Sequence, residues 1–310
     1  MDFFMKHILC LTLGVRKNKV LRFLFILLLF SCLSCSKDPA LFKLDNLNNN
    51  EISCFGHAGM GSRSIYPVNT FESLESCLNR GADGTEMDVQ VTKDSVLVIY
   101  HNENLGTATS CAGRIREMNW SDLKDCKMNS LLFKDLELIS FNEFIQKIPN
   151  PKDYTYTWDT KLWIDDFNAD NSEYFRVFAR TLIRTMDEND LSQNIFIENP
   201  DIGFLLVAKE MRPELKLFYL AETYNGGLEQ GVKWGFYGIS MHHTKLTAEQ
   251  IKTAHENNLH VTLFGVLSEK ENYSAVEKSP DFIQTDDINY LLKIFGKYNK
   301  GKGYLFSLTN

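Results

Sequence analysis

The body of this 310-residue chain has no internal repeat, no low-complexity tract and no apolar run of 18 residues. Nothing in it therefore reads as a repeat array or a membrane span. An excess of basic charge is also missing: 33 Lys and Arg face 40 Asp and Glu, a formal charge of −7. A nucleic-acid binder needs a basic face to neutralise phosphates, so no nucleic-acid partner is expected. Seven cysteines are present, but among the four in the body of the chain no pair has zinc-knuckle spacing. What remains is an ordinary globular balance, 44% hydrophobic and 24% charged, with 22 Phe and 12 Tyr to build a core. That balance excludes disorder, collagen and coiled coil. The length fits two domains or one large α/β barrel.

The front end differs from the body. Arg16, Lys17, Lys19 and Arg22 precede Phe23–Leu33, an eleven-residue apolar stretch interrupted by Ser31. A basic region followed by an apolar stretch too short to span a bilayer reads as a secretion signal. The stretch runs into Ser31-Cys32-Leu33-Ser34-Cys35, and polarity begins abruptly at Ser36. This resembles a bacterial lipoprotein signal, in which a Cys after a small residue is lipidated and becomes the new N-terminus. The resemblance implies a signal over residues 1–35 with lipidation at Cys35. It also implies export and lipid anchoring to a bacterial membrane, periplasmic or on the outer surface. Cys32 has the better upstream context, with Leu29 three residues before it. Met1–Val15 forms a second apolar piece, and Val15 is a candidate initiation position.

Removing residues 1–34 discards five basic residues and one acidic residue, leaving 28 against 39 and a net charge of −11. Residues 36–50 are polar and Asn-rich, suited to a tether, and residues 299–310 form a C-terminal tail. Cys54, Cys77, Cys111 and Cys126 lie beyond Cys35. Export permits disulfides, and a Cys111–Cys126 pair would close a loop, though the sequence does not establish that pairing.

From residue 52 the chain alternates short β-rich runs with helical patterns. Strands are expected at Ile52–His57, Gly84–Val89, Tyr154–Leu162, Asn194–Glu198, Lys216–Leu220, Gly238–Met241, His260–Val266 and Phe282–Gln284. Helices are expected at Thr70–Asn79, Ser172–Glu188, Asp201–Met211, Thr247–Asn257 and Asp287–Phe295, with helical spacing also over Ser140–Ile148. Phe175, Phe178, Leu182 and Met186 share one helical face, a stripe that packs on a sheet. Eight strands alternating with helices point to a (β/α)8 TIM-type barrel over residues 51–298. An open doubly wound sheet would show a Gly-rich phosphate fingerprint after its first strand, and none is present. Asn102–Leu136, poor in strand runs and holding two cysteines, reads as a small insertion over the C-terminal mouth.

Functional groups in such barrels stand at the C-terminal ends of the strands. The first strand ends in Gly56-His57-Ala58-Gly59. Glu86 and Asp88, two apart on the second strand, share a face while Met87 points away. Val96–Tyr100 delivers His101, and the third barrel strand offers Asp159 and Lys161, again two apart. Three carboxylates converging in one mouth repel unless a cation lies between them. Oxygen ligands without Cys or paired His favour Ca²⁺ or Mg²⁺ over Zn²⁺. Three carboxylates, one divalent ion and Lys161 sum to zero charge, which suits a phosphodiester monoanion. Two histidines beside the site could supply a general acid and a general base.

Gly56-His57-Ala58-Gly59, Pro67-Val68-Asn69-Thr70, Gly81–Val89, Thr92-Lys93-Asp94 and Leu97–Asn102 together resemble the glycerophosphodiester phosphodiesterase family. The likeness continues through Asp159-Thr160-Lys161 and ends at Ile283-Gln284-Thr285-Asp286. It implies a metal-dependent barrel that hydrolyses small-molecule glycerophosphodiesters to glycerol 3-phosphate and an alcohol. His57 and His101 would be the acid–base pair, and Glu86, Asp88 and Asp159 the metal ligands. Lys161 would contact the phosphate, Asn69 would support the first-strand site, and Phe264 stands at the family's late Trp position. Ala58 replaces the family's Arg, Val68 its Glu, Asn102 the Asp after the second His, and Asp159 a Glu. These departures bear on substrate identity more than on reaction type.

Plainer roles accompany several of these residues. Asn69 or Thr70 could cap the following helix, and Phe264 could be core. At most one of His242 and His243 faces the mouth, and Glu198 carries no assigned role. Two other functions fit the same pattern: a phospholipase-like diesterase on a larger lipid head group, or a non-catalytic surface binder of phosphodiesters. Retention of both His57 and His101 weighs against the binder, since binding alone needs no acid–base pair.

Overall fold

The computed structural model describes residues 51–166 and 169–298. Cys35, the signal segment, the tether and the tail lie outside the described residues. Among the described residues ten strands follow in chain order: β1 (Ser53–Gly56), β2 (Gly84–Val91), β3 (Leu97–Ile99), β4 (Ile139–Ser140) and β5 (Thr155–Thr160), then β6 (Ile195–Asn199), β7 (Lys216–Leu220), β8 (Gly238–His242), β9 (His260–Val266) and β10 (Phe282–Thr285). The α-helices are α1 (Phe71–Asn79), α2 (Trp120–Leu123), α3 (Phe141–Lys147), α4 (Ser172–Glu188) and α5 (Ile202–Met211), then α6 (Tyr224–Trp234), α7 (Ala248–Glu256), α8 (Glu269–Glu277) and α9 (Ile288–Ile294).

Eight of the strands, β1, β2 and β5 to β10, pair in parallel, and β1 closes on β2 through Phe55↔Gly84 and Gly56↔Thr85. The fold is the expected (β/α)8 barrel. The short strands β3 and β4 extend β2 antiparallel, outside the closed ring. Helix starts follow local chemistry. Thr70 caps α1 by accepting from Ser73 N, and Ser140 forms a reciprocal capping box with Glu143 at α3. On α4 the stripe Phe175, Phe178, Leu182 and Met186 is buried against the sheet, as its spacing requires. Among the described residues no helix is long and apolar enough to cross a membrane.

Helix α6 was not apparent in the sequence, because Gly226, Gly227 and Gly231 weaken helix propensity. The fold uses two of them as spacers. A Cβ on Gly227 would fall 3.0 Å from the Ala221 Cβ, and one on Gly231 would fall 2.8 Å from the Leu259 side chain. Close approach of helix to sheet thus outweighs propensity.

Side chains fill the barrel interior in layers. Low in the barrel Phe55, Phe196, Phe218 and Phe282 pack together. Gly84 and Gly238 leave room for them, since a Cβ there would fall 2.9 Å from the Phe55 ring and 2.4 Å from the Phe218 ring. Two residues further along alternate barrel strands, the inward positions become Glu86, Ser240, Glu198 and Gln284, all buried. Branched aliphatics usually occupy such a layer, so the barrel turns polar well below its mouth.

The segment between β3 and β4 has its own small core, including Tyr100, Leu105, Ile115, Leu123 and Leu138. Cys111 and Cys126 are disulfide-bonded within it, whereas Cys54 and Cys77 are buried free thiols. The segment reaches two loops of the mouth: Phe133 packs on Tyr66 after β1, and Arg116 donates to the Trp163 carbonyl after β5.

Candidate active site

The period-two rule on β2 turns Glu86 and Asp88 inward, and register sets Asp88 opposite Asp159 of β5. Glu86, Asp88 and Asp159 each offer an oxygen, and these atoms lie within 4.8 Å of one another. Glu86 Oε2 accepts from the Ala58 backbone N at 2.7 Å, while buried Oε1 has no hydrogen-bond partner. Asn69 grips Asp88 at both ends, donating from Nδ2 to Oδ2 at 2.6 Å and accepting from the Asp88 N at 3.1 Å. It does so from a left-handed backbone (φ 62°), which Asn tolerates better than most residues. Thr70 caps the helix, so Asn69 is free to hold Asp88. Lys161 Nζ bridges Asp159 Oδ2 at 2.6 Å and Asp88 Oδ1 at 3.0 Å.

The electrostatics show crowding. Burial, followed by the charge of Asp88, holds Glu86 well above the usual carboxylate range, despite the opposing charge of His57. Burial also raises Asp159 against the pull of Lys161. Burial works the same way on Asp88, but Lys161, His101 and His57 together outweigh it and hold that carboxyl low. Three converging carboxylates, with one buried oxygen unpartnered, fit a single hard divalent cation.

His57 follows β1 at the rim. Its Nδ1 lies 3.0 Å from Asp286 Oδ2, and its Nε2 lies 3.9 Å from Glu86 Oε2. Asp286 is fixed in turn by the Ser62 N, which donates to Oδ1 at 2.6 Å. Burial opposes the charged imidazole, but the hydrogen bond to Asp286 and the charges of Glu86, Asp286 and Asp88 prevail, raising His57 to about 10. Asp286 moves the other way: burial would raise it, yet the bond to His57 draws it down to about 2. The His57 side chain is 40% exposed, so water screens these interactions. His101, also exposed, places Nδ1 3.1 Å from Asn102 Oδ1, and its charge acts on Asp88 as that of His57 does. Both histidines therefore border one carboxylate cluster.

Two groups that the sequence left without a role join the site. Asp286 was visible only as part of a motif. Glu198 stands in register with Asp159, and Gln284 Nε2 reaches across the barrel to its two carboxylate oxygens at 3.3 and 3.2 Å. Burial and the charge of Asp159 raise Glu198 to about 8. Phe264, on β9, sets its ring edge-on to His242 with centroids 5.7 Å apart.

An acidic cluster and two histidines at the C-terminal mouth of a barrel are groups that phosphoric diester hydrolysis can use, and similarity to known proteins places the chain among the phosphoric diester hydrolases. Residues 57–290 match the glycerophosphoryl diester phosphodiesterase family. The chain is 23% identical over 250 residues to a glycerophosphodiester phosphodiesterase of Bacillus altitudinis, covering 77% of this chain and 96% of that one. It superposes on a glycerophosphodiester phosphodiesterase structure from Parabacteroides distasonis with a TM-score of 0.66 and 20% identity, covering 80% and 98% of the two chains. An Oleispira antarctica phosphodiesterase, solved with the product sn-glycerol-3-phosphate, gives a TM-score of 0.67 at 17% identity, covering 79% and 96%. The two superpositions speak for the fold. The chain belongs to the glycerophosphoryl diester phosphodiesterase family.

Proposed function

We propose that this chain hydrolyses glycerophosphodiesters to glycerol 3-phosphate and an alcohol, with one Ca²⁺ or Mg²⁺ held by Glu86, Asp88 and Asp159. The observation that carries this reading is the convergence of those carboxylates within 4.8 Å, with His57 Nε2 3.9 Å from Glu86. A bound divalent ion would supply charge stabilisation to the phosphoryl oxygens. Asn69 acts by positioning Asp88, and Lys161 offers its ammonium to the phosphate.

His57, kept charged by Asp286, is the general acid, and His101 is the general base. An attacking water loses its proton to His101 as its oxygen bonds to phosphorus. The bond from phosphorus to the alcohol oxygen breaks, and that oxygen takes the Nε2 proton of His57. Atoms and charge balance without any further reactant. At the front of the chain, Cys35 is the proposed lipidated residue, which would anchor the exported enzyme to a membrane. The functional test is release of glycerol 3-phosphate from glycerophosphocholine by the purified protein, with and without chelator. Equal rates in the two conditions would refute the metal assignment.

A further inference from the structure

A cavity of about 410 Å³ opens beside the carboxylate cluster, sharing Asp159 and Lys161 with it. Its other walls are mainly apolar: Leu162, Trp163, Ile164, Pro200 and Leu220. The polar side chains along it already have partners within the protein. Glu103 is paired with Arg114, and Asp201 caps α5 by accepting from Phe204 N. Asn199 donates twice to Thr160 and accepts from Asp201 N, while the Thr160 hydroxyl donates to the Glu198 carbonyl. Away from Asp159 and Lys161, a ligand entering this space meets mainly apolar surface, and the polar side chains there are already engaged within the protein.

Trp163 is a wall fixed by several contacts. It adopts a left-handed backbone (φ 46°), uncommon for a bulky residue, so its neighbours must impose that conformation. The insertion supplies the restraint: Arg114 and Arg116 donate to the Trp163 carbonyl at 3.2 and 3.0 Å, and both also pair with Asp165. The indole Nε1 donates to the His101 carbonyl at 3.1 Å. A wall fixed before binding costs little further ordering when a ligand arrives.

We propose that this cavity is the subsite for the alcohol half of the diester, and that it selects an uncharged alkyl or aryl alcohol over glycerol or choline. The proposal rests on the phosphodiesterase reading above. Continuity with Asp159 and Lys161 places an alcohol attached to a bound phosphate within reach of these walls. Burial of each methylene there is worth about fourfold.

The test is kcat/KM for a series of glycerophosphodiesters carrying ethyl, butyl, hexyl, glycerol and choline groups. The expected result is a rise along the alkyl series, with the hexyl diester at least about tenfold above the glycerol diester. Trp163→Ala and Leu220→Gln should each lower that hexyl-to-glycerol ratio by about tenfold or more, while Trp163→Phe keeps it within about threefold. A flat alkyl series, a preference for choline or glycerol, or an unmoved ratio in both variants would overturn the subsite. Calorimetric binding of hexyl phosphate and methyl phosphate to the unaltered protein separates the two readings. If no diester is hydrolysed, the proposed function fails, and tighter binding of hexyl phosphate would still uphold the apolar subsite. Equal binding of the two phosphates would refute the subsite whatever the turnover.

Discussion

His57 Nδ1 and Asp286 Oδ2, separated by 229 positions in the chain, meet at 3.0 Å where β10 pairs with β1. The carboxylate orients the ring, keeps the proton on Nδ1 and leaves Nε2 facing the cluster. It also favours the charged imidazole that a general acid needs.

That pairing sets a pH signature in metal-free protein. His57 is raised from 6.5 to about 10, so its contribution to stability is full below pH 6.5 and is lost as pH rises through about 10. Asp286 is lowered from 3.8 to about 2, so its contribution is present above pH 3.8 and is lost as pH falls through about 2. In Asp286→Asn the His57 titration, followed by NMR, should fall toward the ordinary imidazole range. An unchanged titration would show that Asp286 does not control the ring.

Glu86→Gln and Asp88→Asn should each abolish turnover while leaving the far-ultraviolet circular dichroism intact, because volume and strand pairing barely change. The parent should gain thermal stability with Ca²⁺ or Mg²⁺, by about 2.7 kcal/mol at a hundredfold excess over the dissociation constant. Either variant retaining that gain would lose its place as a ligand.

His57→Ala and His101→Ala should each cost about 10²–10⁴-fold in rate. Under the proposed acid–base pairing their losses should not multiply, so the double variant should be little worse than the poorer single variant. Multiplicative losses in kcat/KM would separate the two residues mechanistically.

Intact-mass analysis of membrane-extracted protein should find a chain beginning at Cys35 and carrying several acyl chains, since one chain binds only marginally. A chain retaining residues 1–34 would contradict the proposed anchor.

Much of the site was legible because it depends on local periodicity. Glu86 and Asp88 are two apart on a strand, Asp159 and Lys161 repeat the pattern on the neighbouring barrel strand, and each histidine follows an apolar run. Contacts across the barrel were hidden. Glu198 meets Gln284 over 86 residues, and only closure of the sheet brings them together. The hold of Arg114 and Arg116 on Trp163 was equally invisible, because it joins an irregular insertion to a loop after β5. Helix α6 escaped notice for a third reason: its glycines serve packing against Ala221 and Leu259, which local propensity does not register.

The central claim is metal-dependent diester hydrolysis at the cluster of Glu86, Asp88 and Asp159. Its most direct test follows glycerol 3-phosphate release from a glycerophosphodiester by chelated protein as Ca²⁺ or Mg²⁺ is titrated back. The account predicts no product without metal, saturable recovery in the parent and no recovery in Glu86→Gln. Full activity in chelator, or recovery in Glu86→Gln equal to the parent, would contradict it.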